Sequence, residues 1–232
     1  MAAAARRLLL AGATGLVGRA VLTQLAGRMA AGQPRGQVWA LLRRPPDTSL
    51  ENALAQADGH VLVSAGLGPP LRLPTVDDAL IALGTTIAVA GTHEAFRAVD
   101  LDAVLAIARA ARDAGAKRLA VVSALGADAN ASVFYNRVKG QMEDAVSALG
   151  FDSLVIARPS LLAGDRAALG QPARPGERWA LRLLRPVQGL LPISVRPIEA
   201  TAVAHALLLA LDEGLPGRQV LPSAELARRG TP

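Results

Sequence analysis

Short apolar runs alternate along this chain with longer stretches in which apolar positions recur every three or four residues. Runs of this kind bounded by turn residues read as buried strands, and the longer stretches read as amphipathic helices. In chain order, residues 7–11 predict a strand, 15–31 a helix, and 38–42 a second strand after a Gly/Pro-rich turn. A short helix near Leu50 follows, then strands at 60–65 and 79–83. Between those two strands lies 68–74, whose prolines forbid an interior strand. Residues 93–114 have helical period and stop at Gly115, a residue suited to a left-handed C-cap. Strand 119–123, helix 132–149 ending at Gly150, and strand 153–157 come next. Beyond them the pattern weakens. Residues 164–176 read as a Gly/Pro/Arg-rich loop, 179–184 and 201–211 as helices, and the tail from Ser223 as frayed.

Repeated strand–helix units predict an α/β fold built on a doubly wound, mostly parallel sheet with a small C-terminal extension. At 232 residues the chain fits one domain over 1–232, with a small substrate-side region at about 160–222. Hydrophobic residues at 51% against 19% charged argue against disorder, and no apolar run reaches the roughly eighteen residues of a membrane span. Arg6 and Arg7 before Leu8, Leu9 and Leu10 resemble the start of a signal peptide, but glycines 12, 15 and 18 interrupt the apolar stretch. A cytoplasmic protein is therefore expected. The absence of cysteine excludes disulfides and thiolate metal sites, and His60, His93 and His205 lack zinc-ligand spacing, so no metal is expected.

The net charge of +6 raises the question of nucleic acid, because clustered cations release counterions from phosphates. Here the cations are scattered. With three Phe, two Trp and one Tyr there is also too little aromatic surface for base stacking, so nucleic acid is not the expected partner.

The first strand runs into Gly12-Ala13-Thr14-Gly15-Leu16-Val17-Gly18 and then into a helix. The first glycine permits the tight turn, the second lets backbone approach a pyrophosphate, and the third lets helix pack closely on strand. A helix N-terminus offers unpaired N–H groups to an anion. The glycines alone would also suit a plain structural turn; the strand before, the helix after and the second strand beyond make this a dinucleotide-binding, Rossmann-type turn. At the end of the second strand a site for NAD usually carries an acid for the ribose 2′-hydroxyl, whereas a site for NADP presents arginine to the 2′-phosphate. This chain has Leu42-Arg43-Arg44-Pro45. NADP(H) is favoured and NAD(H) remains possible, the alternative being an exposed arginine pair in an arginine-rich chain.

Tyr135-Asn136-Arg137-Val138-Lys139 sets the one tyrosine of the chain four residues before one of its two lysines. On a helix the two share a face. A nearby ammonium favours the phenolate and so makes proton exchange with a substrate alcohol or carbonyl feasible. The lysine can also bond the nicotinamide-ribose hydroxyls, and Ser123, at the preceding strand end, could bond the same substrate oxygen. A solvated helical pair and a turn-capping serine are the structural alternative.

These residues resemble the short-chain dehydrogenase/reductase superfamily, and within it the atypical, compact NAD(P)H-binding group that includes the human Tat-interacting oxidoreductase and its bacterial relatives. The resemblance covers most of the chain. It rests on the glycine motif, Leu42-Arg43-Arg44, Leu83-Gly84-Thr85-Thr86, Ser123, Tyr135 to Lys139, Arg158-Pro159-Ser160, Asp165-Arg166 and Arg174-Pro175-Gly176-Glu177. It implies that Leu83, Gly84 and Thr85 border the cofactor, that Leu161 and Leu162 follow a nicotinamide-side turn at Pro159, and that Arg166 or Arg174 reaches it from the later loop. Two departures stand out. Many members carry Asn where Asp100 is nearest here, and an ionised carboxylate cannot donate. The roughly seventy residues after Pro159 are also too few for the large lobe of the extended sugar-nucleotide epimerases.

The expected function is NADPH-dependent reduction of a small-molecule carbonyl substrate. Tyr135 supplies the proton, Lys139 positions the ribose, and Ser123 orients the substrate oxygen. Gly12, Thr14, Gly15, Leu16, Val17 and Gly18 hold the pyrophosphate, and Arg43 and Arg44 select the 2′-phosphate. The alternative is a redox-sensing regulatory protein that binds NADP(H) with little or no turnover. Neither substrate nor oligomeric state is legible in the sequence.

Overall fold

The computed structural model describes residues 6–33, 36–67, 71–164, 192 and 194–230. In chain order its strands are β1 (Leu8–Ala11), β2 (Val38–Leu42), β3 (Gly59–Val63), β4 (Asp78–Ile81), β5 (Arg118–Val122), β6 (Ser153–Arg158), β7 (Leu162–Ala163), β8 (Ile198–Glu199) and β9 (Gly217–Pro222). The helices are α1 (Leu16–Ala30), α2 (Thr48–Gln56), α3 (Ile87–Ala90), α4 (His93–Arg97), α5 (Val104–Asp113), α6 (Phe134–Ser147), α7 (Ala200–Glu213) and α8 (Ser223–Arg229).

Seven strands form one sheet in the order β3-β2-β1-β4-β5-β6-β9, and every pairing in it is parallel. Such a sheet must be covered on both faces, which is why β1 reads as an unbroken apolar run rather than an alternation. Leu8 and Leu10 point to the side packed by α1, α2 and α7, while Leu9 and Ala11 point to the side packed by α5 and α6. The chain moves outward from β1 through β2 to β3, then returns to lay β4 on the other side of β1. That reversal leaves a crevice outside the carboxyl ends of β1 and β4, the place where open α/β sheets bind ligands. This is the doubly wound Rossmann architecture expected from the sequence.

The predicted helix at 93–114 is observed as α4 and α5 joined by a π-helical turn, Ala98–Ala103. Gly115 follows with a φ of +105°, as its C-terminal position requires. Two expectations at the C-terminal end are corrected. The tail expected to fray is α8, anchored by Leu226, which is fully buried. Before it, β9 pairs with β6 and forms the sheet edge; its exposed Arg218 and half-buried Gln219 hide it from an apolar pattern. The helix predicted at 179–184 lies outside the described residues.

Candidate functional site

β1 delivers the chain into the crevice at Gly12, whose φ of +93° is one that an L side chain rarely adopts. A Cβ there would lie 2.5 Å from the Ala82 carbonyl oxygen and 3.0 Å from Leu83 N, and a Cβ at Gly18 would lie 2.1 Å from the Gly12 carbonyl oxygen. The turn is thus wedged between α1 and the end of β4 with no room for a side chain at Gly12 or Gly18. Gly15 N donates to the Gly12 carbonyl at 2.9 Å, and Gly15 caps α1 without a side-chain hydrogen bond and with no acid in the first turn. Leu16 and Val17 bury their side chains in the core while their backbone belongs to that turn, and Thr14 is exposed beside it. A helix start built this way presents N–H groups and positive dipole to an anion.

Arg43 and Arg44 follow β2, both exposed and neither hydrogen-bonded nor ion-paired among the described residues. Asp47 is the acid nearest them in sequence; it caps α2 by accepting from Leu50 N at 2.7 Å and meets Arg19 at 3.4 Å. At the carboxyl ends of β2 and β3 a cavity of about 330 Å³ is lined by Leu41, Leu62, Val63, Ser64, Leu71 and Arg72. Arg72 gives no signal in the sequence, because it sits in a proline-rich stretch without periodicity.

Across the crevice, the β4 turn carries Leu83, Gly84 and Thr85. Thr85 N donates to Asp100 Oδ2 at 2.9 Å, and Asp100 Oδ1 pairs with Lys139 Nζ at 2.7 Å. Asp100 is fully buried and Lys139 is 2% exposed. A Cβ on Gly84 would sit 3.5 Å from Asp100 Oδ1 and 3.8 Å from Lys139 Nζ, ordinary van der Waals contact, so the ion pair lies beside the turn. Tyr135 stands in the first turn of α6, half-buried, with its ring 5.3 Å from that of Phe96. The structure therefore joins the glycine turn, the β4 turn and the Tyr135–Lys139 face of α6 into one contiguous site.

Ser123 is hydrogen-bonded within the protein. Its buried hydroxyl donates to Glu143 Oε1 at 2.6 Å. Glu143 also accepts from Arg158 Nε at 2.9 Å, Arg158 Nη2 at 2.6 Å and Arg218 Nη2 at 3.2 Å. That bond to the carboxylate raises the Arg158 guanidinium above its ordinary range. The cluster escapes sequence reasoning because β9 does, and with it Arg218. The buried Pro159 accepts from Leu125 N at 2.9 Å through its carbonyl, and Leu162 lies in β7, packed against the core. A Cβ on Gly164 would fall 2.9 Å from Leu16 Cδ2, which brings the chain after Pro159 against the glycine turn. Arg166 and Arg174 lie outside the described residues. Among those described, no helix is long and apolar enough to cross a membrane.

No protein-family model matches the sequence. The fold is similar to that of MoeE5 in complex with UDP-glucose and NAD, at 17% identity and a TM-score of 0.66 over 93% of this chain and 75% of that one. It is also similar to an oxidoreductase of the short chain dehydrogenase/reductase family from Burkholderia thailandensis, at 18% identity and a TM-score of 0.63 over 97% and 94% of the two chains. At such identities the likeness is one of fold. In sequence, the chain is 37% identical over 178 residues to the mitochondrial protein fmp52 of Emericella nidulans, covering 74% of this chain and 71% of that one. It is 35% identical over 219 residues to the fmp52 of Aspergillus fumigatus, covering 89% of each. These relatives carry the name Fmp52 and not that of the Tat-interacting oxidoreductase, and both are named as mitochondrial, which overturns the expectation of a cytoplasmic protein. With a Rossmann fold and identity sustained over most of both chains, this chain belongs to the Fmp52 family.

Proposed function

We propose that the protein is an NADPH-dependent reductase of small carbonyl compounds. The observation that carries this reading is the contiguity of three parts: an uncapped helix start, a cradle that a Cβ would fill, and a tyrosine–lysine pair one strand end away. MoeE5, a structural neighbour, is in complex with UDP-glucose and NAD, which supports a dinucleotide in this crevice. A bound nicotinamide would supply the hydride. The backbone of Gly12 to Gly18 would hold the pyrophosphate, Arg43 and Arg44 the 2′-phosphate, and Leu83, Gly84, Thr85, Pro159 and Leu162 would border the cofactor. Tyr135 gives its phenolic proton to the developing alkoxide, and Lys139 donates to the ribose hydroxyls. Ser123, whose hydroxyl is committed to Glu143, acts in the scaffold rather than on the substrate oxygen. The described residues of the 160–222 region would border the substrate.

A second reading draws on that same serine. With no hydroxyl from Ser123 to share the substrate oxygen, the site would serve as a cofactor-dependent sensor that binds NADP(H) without consuming it. A panel of aldehydes, ketones and quinones with NADPH separates the two: oxidation of the cofactor supports the reductase, and stabilisation of the fold without oxidation supports the sensor. In the reductase, Tyr135→Phe lowers turnover by about 10²- to 10⁴-fold while NADPH affinity stays within about twofold. Full activity in that variant contradicts the assignment of Tyr135.

A further inference from the structure

The loops that follow β4, β5 and β6 meet at the N-terminal turns of α6. After β4, a Cβ on Gly84 would sit 3.8 Å from Lys139 Nζ. After β5, Asp128 N donates to the Asn136 carbonyl at 3.1 Å, and Leu125 N donates to the carbonyl of Pro159, after β6, at 2.9 Å. The start of α6, and Tyr135 with it, therefore lies among residues 82–91, 123–133 and 159–163. In a chain with 25 lysines and arginines, those stretches contain none. Their one charged residue is Asp128, whose carboxylate accepts from Asn130 N at 2.8 Å. Hydroxyls at the three strand ends are taken as well: Ser123 donates to Glu143, Thr86 accepts from Val89 N at 3.2 Å, and Ser160 donates to the Arg196 carbonyl. What these loops leave to solvent is apolar. Val89 is 52% exposed, Leu125 41% and Val133 60%, the last being the residue that precedes α6, two positions before Tyr135. At the other end of the crevice, after β2 and β3, stand Arg43, Arg44 and Arg72.

We propose that the substrate is an uncharged carbonyl compound with an apolar body, a medium-chain aldehyde being the simplest, and not a phosphorylated or polyhydroxylated one. The assignment rests on the reductase reading above and deepens it. A phosphate or carboxylate draws its affinity from cations, and a sugar from free donors and acceptors; a hydroxyl stripped of water and left unpaired costs binding. The loops around Tyr135 offer few of either. An alkyl chain needs neither and gains by leaving water. The carbonyl oxygen is then the single polar group to be met, and Tyr135 is the group that meets it. The carbonyl carbon takes the hydride that NADPH gives up and its oxygen takes the Tyr135 proton; the products are a primary alcohol and NADP+, and solvent reprotonates the phenol. The crevice is thus divided chemically, with arginines at the cofactor's phosphate end and apolar loops at the substrate end.

Steady-state kinetics with NADPH on linear aldehydes from butanal to octanal, with succinic semialdehyde as the carboxylated counterpart of butanal, tests this. The expected kcat/KM rises about threefold per added methylene, and succinic semialdehyde is reduced about tenfold or more slowly than butanal. Leu125→Ser with Val133→Ser, both at exposed positions, lowers the octanal-to-butanal ratio by about tenfold. Calorimetric titration of the NADPH-loaded protein with butanamide and octanamide, unreactive analogues of the aldehydes, reads the same preference without turnover. A flat series in both measurements, absence of amide binding included, or a preference for succinic semialdehyde, overturns the substrate class. Chain-length-dependent amide binding with no aldehyde reduced overturns the reductase reading and leaves the apolar site standing. Failure to bind NADPH overturns the dinucleotide reading, and this assignment with it.

Discussion

Lys139 and Glu143 stand one turn apart on α6, both almost fully buried, and each meets opposite charge from neighbouring elements. Around Glu143 both oxygens are taken by fixed donors, with Ser123 and Arg158 on one and Arg158 and Arg218 on the other. Those donors come from the ends of β5 and β6 and from β9, so the cluster binds three strands to one helix. Among the described residues Lys139 pairs with the Asp100 carboxylate, and an ammonium so paired still has donors to offer. The Glu143 carboxylate has no acceptor site left for a ligand, whereas an ammonium with donors to spare beside an anion cradle can also hold one. The partners differ in burial as well: Asp100 is fully buried, whereas Arg158 and Arg218 reach solvent.

Breaking the saturated cluster gives the largest effect on stability. Glu143→Ala leaves Arg158, Arg218 and the Ser123 hydroxyl without their acceptor; the arginines reach solvent, so the cost is about 1–3 kcal/mol. Chemical denaturation measures that loss, and calorimetry on the folded protein should find NADPH affinity unchanged within about twofold. Weakened cofactor binding at full stability would dissolve the distinction between the clusters. Ser123→Ala is the milder probe of the same region. It removes one donor from Glu143, at a cost of about 1 kcal/mol, and should leave carbonyl reduction at the wild-type rate. A fall in turnover of a hundredfold would restore the serine to the substrate oxygen.

Much of this architecture is legible in the sequence, because parallel strands buried on both faces must be apolar throughout and glycines mark where backbone must approach backbone. Residues 7–11, 38–42 and 153–157 identify β1, β2 and β6 within a residue at either end, and the turn at Gly12 lies where its motif puts it. Tyr135 and Lys139 stand out by their spacing, since a helix fixes what lies four residues on. What the sequence withholds are partners set by tertiary structure. Ser123 meets Glu143 across 20 residues and Glu143 meets Arg218 across 75, distances over which no local period carries information. β9 is hidden for a related reason: as an edge strand it keeps Arg218 in contact with solvent. Asp100 is visible only as a departure, and the π turn that aims it has no compositional mark.

The central claim is that the crevice between β1 and β4 binds NADPH through its 2′-phosphate. Calorimetric titration of the wild type with NADPH and with NADH, repeated on Arg43→Ala, tests it most directly. The account predicts tighter binding of NADPH than of NADH, and a loss of about tenfold in NADPH affinity, roughly 1.4 kcal/mol, when Arg43 is removed. Equal affinity for the two nucleotides, unaltered in the variant, would contradict the phosphate assignment, and binding of neither would contradict the claim itself.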